Sequence, residues 1–166
     1  MDFRYLYTSF DGRINRKPFW YASIVLIVAA FIVALVVVTP LTVASPTLGA
    51  LAGLILYLAL LYPAIALGVK RLHDHDKSGW LMAVFVAPGL LSQLGSLLGI
   101  TGSEKIIAGE SIFMPNALGW LLTLLALIVA IWALVTLGIR KGTPGPNNHG
   151  DDPLAGAPES ASVHAD

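Results

Sequence analysis

Four uncharged apolar runs constrain the fold of this 166-residue chain more than any other feature. Each has roughly 20 residues or more, which at about 1.5 Å per residue crosses the roughly 30 Å hydrocarbon core of a membrane as a helix. Helices are favoured because they satisfy their own backbone hydrogen bonds in lipid, and the runs lack the alternation of barrel strands. The runs predict spans at residues 19–39, 48–69, 79–100 and 117–139.

The composition supports a membrane protein and excludes several other classes. Hydrophobic residues make up 56% of the chain and charged residues 12%, about half the charged share of a typical soluble domain. A net charge of zero gives no reason to expect a nucleic-acid partner, and the absence of cysteine excludes disulfides and thiolate chemistry. We therefore predict an all-α integral membrane protein with four transmembrane helices (residues 19–139) between an N-terminal segment (residues 1–18) and a flexible tail (residues 140–166).

The basic residues predict the topology. Nine of the ten Lys and Arg residues lie in the N-terminal segment, in the connection after the second run or after the fourth run, and Lys105 is the exception. Because cytoplasmic connections are enriched in Lys and Arg, both termini are predicted to be cytoplasmic. Phe19, Trp20 and Trp80 open two of the spans and are predicted to anchor them at the membrane interface.

Two pairs of glycines have the spacing of helix-packing motifs. Gly49 and Gly53 form one pair, and Gly95 and Gly99 form the other. Small residues four apart allow two helices to approach closely. The pairs favour tight packing of the second span on the third, or association with a second copy or another membrane protein, with chance spacing as the alternative.

The spans contain no Asp, Glu, Lys, Arg or His, although these residues usually mark the pathways of transporters and pumps. Gln93 is the most polar side chain within them, and its amide is expected to seek a partner on another helix. A small transporter or channel subunit built around Gln93 is therefore an alternative to a protein without a transport pathway.

The segment "KRLHDHDKSGW" concentrates histidine and aspartate in one connection. His73, Asp74, His75 and Asp76 have the side chains of a divalent metal site, which would allow a metal-dependent enzyme at the lipid interface. The spacing argues against such a site, because on a helix the first and third of these residues diverge by about 200°. No catalytic residue, metal ligand or cofactor is assigned from the sequence.

A polar network is the interpretation that we favour for this segment. Asp74 is expected to accept hydrogen bonds from Arg13, Arg16 or Arg71, with His73 beside them, because guanidinium and carboxylate groups pair in a bidentate manner. The remaining basic groups are expected to attract anionic lipid headgroups. The predicted partners are therefore membrane lipids.

Two stretches, "FDGRINRKPFW" and "RLHD" followed by "SGW", resemble the domain-of-unknown-function 805 family of small bacterial inner-membrane proteins. The matching residues are Phe10, Gly12, Arg13, Arg16, Phe19, Trp20, Arg71, Leu72, His73, Asp74, Ser78, Gly79 and Trp80. The tail "GTPGPNNHGDDP" also resembles the family's ending, with His149 where an aromatic residue is usual. The resemblance implies a multi-pass protein of the inner (plasma) membrane and no established activity.

The leading functional hypothesis is a non-enzymatic interaction or membrane-organising component that acts through its cytoplasmic face. Two features support this hypothesis: the predicted spans carry no charge, and charged side chains are concentrated in the predicted cytoplasmic segments. The transporter or channel subunit and the metal-dependent interfacial enzyme remain the alternatives.

Overall fold

Long apolar helices make up most of the chain. The computed structural model describes residues 2–107 and 109–155. The helices are α1 Phe3–Thr8, α2 Arg16–Val33, α3 Thr39–Ala44, α4 Pro46–His73, α5 Leu81–Leu97 and α6 Ala117–Ala133, and the strands are β1 Gly102–Ile107 and β2 Glu110–Pro115.

The first long helix does not end at residue 39. A π-helical segment, Ala34–Val38, joins α2 to α3, so that helical structure continues from Arg16 to Ala44. The segment lies just before Pro40, which has no amide N–H to donate within the helix. A second π-helical segment, Leu134–Ile139, extends α6 in the same way. Much of the first predicted connection is therefore helical.

Among the described residues, three helices are long and apolar enough to cross a membrane: Arg16–Ala44, Pro46–His73 and Ala117–Ile139. The remaining apolar helix, α5, has 17 residues and contains Pro88. At about 1.5 Å per residue it is roughly 25 Å long, slightly less than the hydrocarbon thickness. The run expected to span at residues 79–100 is therefore helical over a shorter range.

A β-hairpin corrects the all-α prediction. Strands β1 and β2 pair antiparallel, with Gly102 opposite Pro115 and Ile107 opposite Glu110. Gly109 lies in the turn with a φ of +87°, a conformation that glycine adopts without strain. The sequence does not predict the hairpin, because neither strand has the alternation of apolar and polar residues that marks a half-buried strand.

The middle of the helices exposes apolar side chains, whereas the buried core lies at one end. Ile27, Phe31 and Ile55 are each more than 60% exposed, which suits a lipid-facing surface. The buried hydrophobic residues form two clusters: Leu6, Ile14, Ala22 and Leu67 in the first, and Val69, Leu72, Met82 and Leu137 in the second. The best-packed part of the chain is therefore where the N-terminal segment, the end of α4 and the last helix meet.

Candidate functional site

Charged side chains are buried at the end of the molecule that holds this core. We call this region the polar layer; it consists of residues 2–15, 70–80 and 140–155. Lys70, Arg71 and Asp74 lie at its centre, and all three are at most 3% exposed. Charges without water must be paired and hydrogen-bonded, so their partners define how the layer is built.

Asp74 accepts from two arginines. Its Oδ1 lies 3.1 Å from Nη2 and 3.3 Å from Nε of Arg13, and its Oδ2 pairs with Nη1 of Arg71. The two guanidinium groups approach from opposite parts of the chain, one before α2 and one at the end of α4. We call these three side chains the arginine–aspartate network.

Arg13 also holds the C-terminal segment. Its Nη1 donates to the carbonyl oxygens of Gly145 at 2.8 Å and Gly150 at 3.2 Å, and its Nη2 donates to that of Thr143 at 2.8 Å. The two hydrogen bonds to Oδ1 of Asp74 and the three to carbonyl oxygens match the five N–H donors that arginine offers. One side chain therefore connects the start of the chain, the α4–α5 connection and the tail.

The tail packs directly on Asp74. Thr143 donates to the Asp74 carbonyl oxygen through its backbone N–H at 2.8 Å and through its hydroxyl at 3.1 Å. A Cβ added at Gly142 would clash with the Asp74 carboxylate, so a larger residue there would have to displace that buried group. The segment expected to be a flexible tail is thus folded as far as residue 155, because its backbone supplies partners for buried charges. Residues 156–166 lie outside the described residues.

Side chains from other helices satisfy the carbonyls at the end of the final helix, residues 137–139, and that of residue 140, which follows it. Arg71 donates to the first through Nε at 2.7 Å and to the last through Nη2, Trp20 donates to the second at 3.0 Å, and Arg16 donates to the third at 3.3 Å. A helix end leaves its last carbonyls without partners, and cations are favoured near it. Arg16 therefore binds the end of the last helix, and the structure does not bring it to Asp74.

Lys70 performs the same role for α1. Its fully buried ammonium donates to the carbonyls of Tyr5 at 2.6 Å, Leu6 at 2.8 Å and Ser9 at 2.6 Å. It also lies 4.7 Å from the centre of the Tyr5 ring. In the sequence, Lys70 indicates only the topology. Its position directly after an apolar run is the feature that could have indicated its burial.

The tail also covers the histidine-rich turn. The ring of His73 stacks on that of His149 with centroids 3.9 Å apart, and its Nδ1 donates to the Gly12 carbonyl at 3.2 Å. Asp76 accepts from the side-chain amide of Asn148 at 3.1 Å. Neither side chain joins the arginine–aspartate network.

His75 has different hydrogen-bond surroundings from the other candidate metal ligands. Its Nε2 is buried and has no hydrogen-bond partner within the described part of the chain. Burial, followed by the charge of Arg71, holds the pKa of His75 below its ordinary value. Within residues 2–107 and 109–155, no group of three or more His, Asp or Glu side chains could hold a metal ion. The four residues considered as metal ligands thus face different partners.

The aromatic residues expected to be interface anchors differ in their surroundings. Phe19 packs against both buried clusters, and Trp20 is bound to the last helix. Trp80 is 85% exposed, at the start of the helix that follows the connection. An exposed indole at a helix end is the arrangement that a membrane interface favours.

The glycine pair in α4 faces two different elements. A Cβ added at Gly49 would lie 2.6 Å from the Cα of Thr42 in α3, whereas one at Gly53 would lie 3.9 Å from Nε2 of Gln93 in α5. The first contact is a close approach of two backbones, and the second is an ordinary packing distance. Gly49 therefore packs α4 against the first long helix.

The glycine pair in α5 lies at the end of that helix. A Cβ added at Gly95 would lie 2.4 Å from the Thr101 methyl carbon, and Gly99 has a φ of +69°, typical of a helix-terminating glycine. Helices α4 and α5 also meet at the other end of the molecule, where the Met82 side chain packs directly against Gly68. That contact is within the buried core next to the polar layer.

Comparisons with known proteins identify the family. The chain is 28% identical over 146 residues to the uncharacterized protein YiiR of Escherichia coli K12, which covers 87% of this chain and 85% of YiiR. It is 26% identical over 152 residues to the inner membrane protein YhaI of the same strain, with 91% of each chain covered. No solved structure matches the chain. The model of the family DUF805, proteins of unknown function, matches residues 7–151, and the chain belongs to this family.

Proposed function

We propose that this chain is a non-enzymatic interaction or membrane-organising component of the inner membrane, with the polar layer as its cytoplasmic face. The observation that carries the proposal is Asp74, buried between Arg13 and Arg71 and covered by the tail. The hydrogen bonds of these groups hold three distant chain segments in one arrangement. A fixed arrangement of this kind suits a surface that binds a partner. The partners in this role would be membrane lipids, a second copy or another membrane protein.

We further propose four membrane crossings with both termini in the cytoplasm. The tail and the α4–α5 connection contact each other, so the chain between them must leave the polar layer and return to it. Helix α5 leads away to the hairpin, and α6 leads back. This path supports a short third span, and the basic residues in the polar layer support a cytoplasmic location. The similarity to the inner membrane protein YhaI supports the same membrane.

The absence of cysteine makes this topology easy to test. Single cysteines would replace Ala155 in the tail and Ile106 in the hairpin, both of which are exposed. A membrane-impermeant maleimide added to intact spheroplasts should label the cysteine at 106 and spare the cysteine at 155 until the cells are lysed. Labelling of both, or of the tail alone, would refute the proposed topology.

The interaction role is tested with Arg13→Lys, which keeps the charge but loses the planar fork of donors. In-cell crosslinking followed by purification in mild detergent should recover a crosslinked species, a dimer or a heteromer, with the wild-type chain. We expect recovery to fall several-fold for Arg13→Lys and to be unchanged for Arg4→Lys, an exposed arginine in α1. Equal recovery from both variants, or no crosslinked species at all, would count against the proposal.

A second candidate, a transporter or channel subunit, is supported by a cavity at the opposite end. This cavity of about 700 Å³ lies between α3, α4, α5 and the start of β1, and it is lined by Gln93, Thr42, Ser96 and Glu104. The lining contains one amide, one carboxylate and four hydroxyl-bearing residues, since Thr47 and Ser103 also belong to it, and such polar groups suit a small polar solute.

Proteoliposomes provide the test of this second candidate. A pH-sensitive dye inside the vesicles would report proton flux driven by an imposed gradient, with Gln93→Leu as the variant and Gln93→Asn as the conservative control. Flux that is lost with leucine and retained with asparagine would support transport. Flux equal to that of empty vesicles would leave no support for proton transport.

A further inference from the structure

A second cavity, distinct from the one at Gln93, lies beside the polar layer. It has a volume of about 330 Å³ and is found where the start of α2 meets the end of the last helix and the tail. Arg16 and Lys141 line it, together with Thr143, Asp152 and Leu154. A cavity of this size suits a small ligand group, and the side chains indicate which kind.

Some of the positively charged side chains in this cavity already have an anionic partner, and others do not. Arg71, at its inner wall, is bound to Asp74, whereas Arg16 is exposed and makes one side-chain hydrogen bond, to the last helix. Lys141 is exposed and has no ionic or hydrogen-bond partner among the described residues. The two accessible cations come from residues 125 apart in sequence, and they meet because the polar layer joins the first long helix to the last.

Two carboxylates also face the cavity. Asp74 is neutralised by its two arginines, and Asp152 accepts the backbone N–H groups of Gly145 and Leu154 at 2.9 Å each. These hydrogen bonds lower the pKa of Asp152 below its ordinary value, so it stays ionised. Because Arg71 is already paired with Asp74, the remaining charges are the two cations Arg16 and Lys141 against the one carboxylate of Asp152, and the cavity attracts an anion.

The position of the cavity indicates the source of that anion. Arg16 begins one candidate membrane-spanning helix and Lys141 follows the end of another. Exposed apolar residues continue from both cations along the helices, with Tyr21 and Ile139 each more than 50% exposed. Cations above an apolar helix surface lie at the depth of lipid phosphates, where each basic residue strengthens binding to anionic lipid.

We propose that this cavity binds the phosphate headgroup of an anionic phospholipid, with Arg16 and Lys141 as its ligands. The proposal rests on the proposed function only for the location of the polar layer at the membrane surface. The lipid would connect the ends of the first and last helices from outside, next to the arginine–aspartate network that connects them from inside. It would thereby make the fold of the polar layer depend on membrane composition.

The test uses the purified full chain in detergent and three probes: dioctanoyl phosphatidylglycerol, dioctanoyl phosphatidylcholine and inorganic phosphate. Native mass spectrometry and thermal unfolding would report binding. We expect phosphatidylglycerol to bind on the order of tenfold more tightly than phosphatidylcholine, with a preference that weakens at high salt. Equal binding of the two lipids would overturn the proposal, and inorganic phosphate binding as tightly as phosphatidylglycerol would overturn the assignment to a lipid.

Matched variants locate the site. Arg16→Gln with Lys141→Gln should abolish the preference, whereas Arg4→Gln with Lys105→Gln removes the same charge elsewhere and should retain it. Lys141→Gln alone provides a variant whose folding should be unaffected, and it should weaken the preference several-fold. A preference that survives Lys141→Gln and the double variant would overturn the proposal. The cysteine-labelling experiment does not depend on lipid class, so a failure here is distinguishable from a wrong topology.

Discussion

The two ends of this membrane protein are built in different ways. At the polar layer, Arg71 and Asp74 are at most 3% exposed and bind partners on several chain segments. At the hairpin end, which comprises residues 98–116, Lys105 is exposed and Ile106 is 82% exposed. Contacts there are mostly local, such as the Asn116 amide donating to the Ile100 carbonyl at 2.9 Å.

The difference follows from the cost of burying charge. An ion removed from water loses several kcal/mol of hydration free energy, and only a partner in good geometry offsets that loss. The polar layer therefore tolerates few arrangements, since a shifted segment would leave a buried charge unpaired. The hairpin end exposes Lys105 to solvent and pairs its strands within a few residues, so changes there should remain local.

The largest effect is expected from Asp74→Ala, which leaves two buried guanidinium groups without their carboxylate. Removing one partner of a buried pair typically costs about 3–5 kcal/mol. Denaturant titration in detergent micelles should show a loss of that order in the free energy of unfolding. Asp151→Ala, which removes an exposed carboxylate from the tail, is the control and should change little. Similar values for both variants would show that the buried carboxylate stabilises the polar layer no more than an exposed one does.

The next effect is expected from Lys70→Met, which keeps the apolar stem and removes the ammonium. The three carbonyls at the end of α1 then lose their donor, at a cost of about 1–3 kcal/mol. Hydrogen exchange should accelerate in residues 3–9 more than elsewhere. Lys141→Met changes an exposed lysine and should leave that exchange rate unaltered. Unchanged protection of α1 in Lys70→Met would show that the buried ammonium does not hold this helix.

The sequence predicted side-chain partners better than backbone partners. Opposite charges suggested that Arg13 and Asp74 would pair, and the structure places them 3.1 Å apart. Lys70 and the tail were not recognised as parts of the same layer, because most of their partners are backbone groups, which carry no residue-specific signal. Arg16 was expected at Asp74 for its charge, yet a helix end with unpaired carbonyls is an equally good partner for a guanidinium group.

The same reasoning explains which parts of the fold were predicted. Uncharged runs of sufficient length identify apolar helices, because the bilayer thickness sets that length. They do not reveal where a helix ends, and Arg16–Ala44 and Leu81–Leu97 end several residues from the expected positions. The hairpin was missed because β1 and β2 are stabilised by pairing with each other, not by an apolar face against a core.

A smaller effect of pH is expected in the polar layer, through His75. Burial lowers its pKa in the folded protein, so near pH 6.5 the unfolded chain binds a proton that the folded protein does not. Stability is therefore full above the unfolded pKa and falls as the pH decreases from 7 towards 5. The charges that act on His75 are those of Arg71, Asp74 and Lys77. The midpoint of thermal unfolding should fall less steeply with pH in His75→Gln, and identical slopes would exclude His75 as the cause.

The smallest effect is expected at the hairpin end, from Lys105→Gln. This substitution removes one positive charge, as Arg71→Gln does in the polar layer, but the lysine is exposed on β1. Exposed substitutions of this kind usually change stability by about 0.5 kcal/mol or less, whereas Arg71→Gln leaves helix-end carbonyls and a buried carboxylate with fewer donors. Unfolding free energies of the two variants, measured in the same detergent, compare the ends directly. A loss for Lys105→Gln as large as that for Arg71→Gln would mean that the hairpin end is coupled to the rest of the fold as closely as the polar layer.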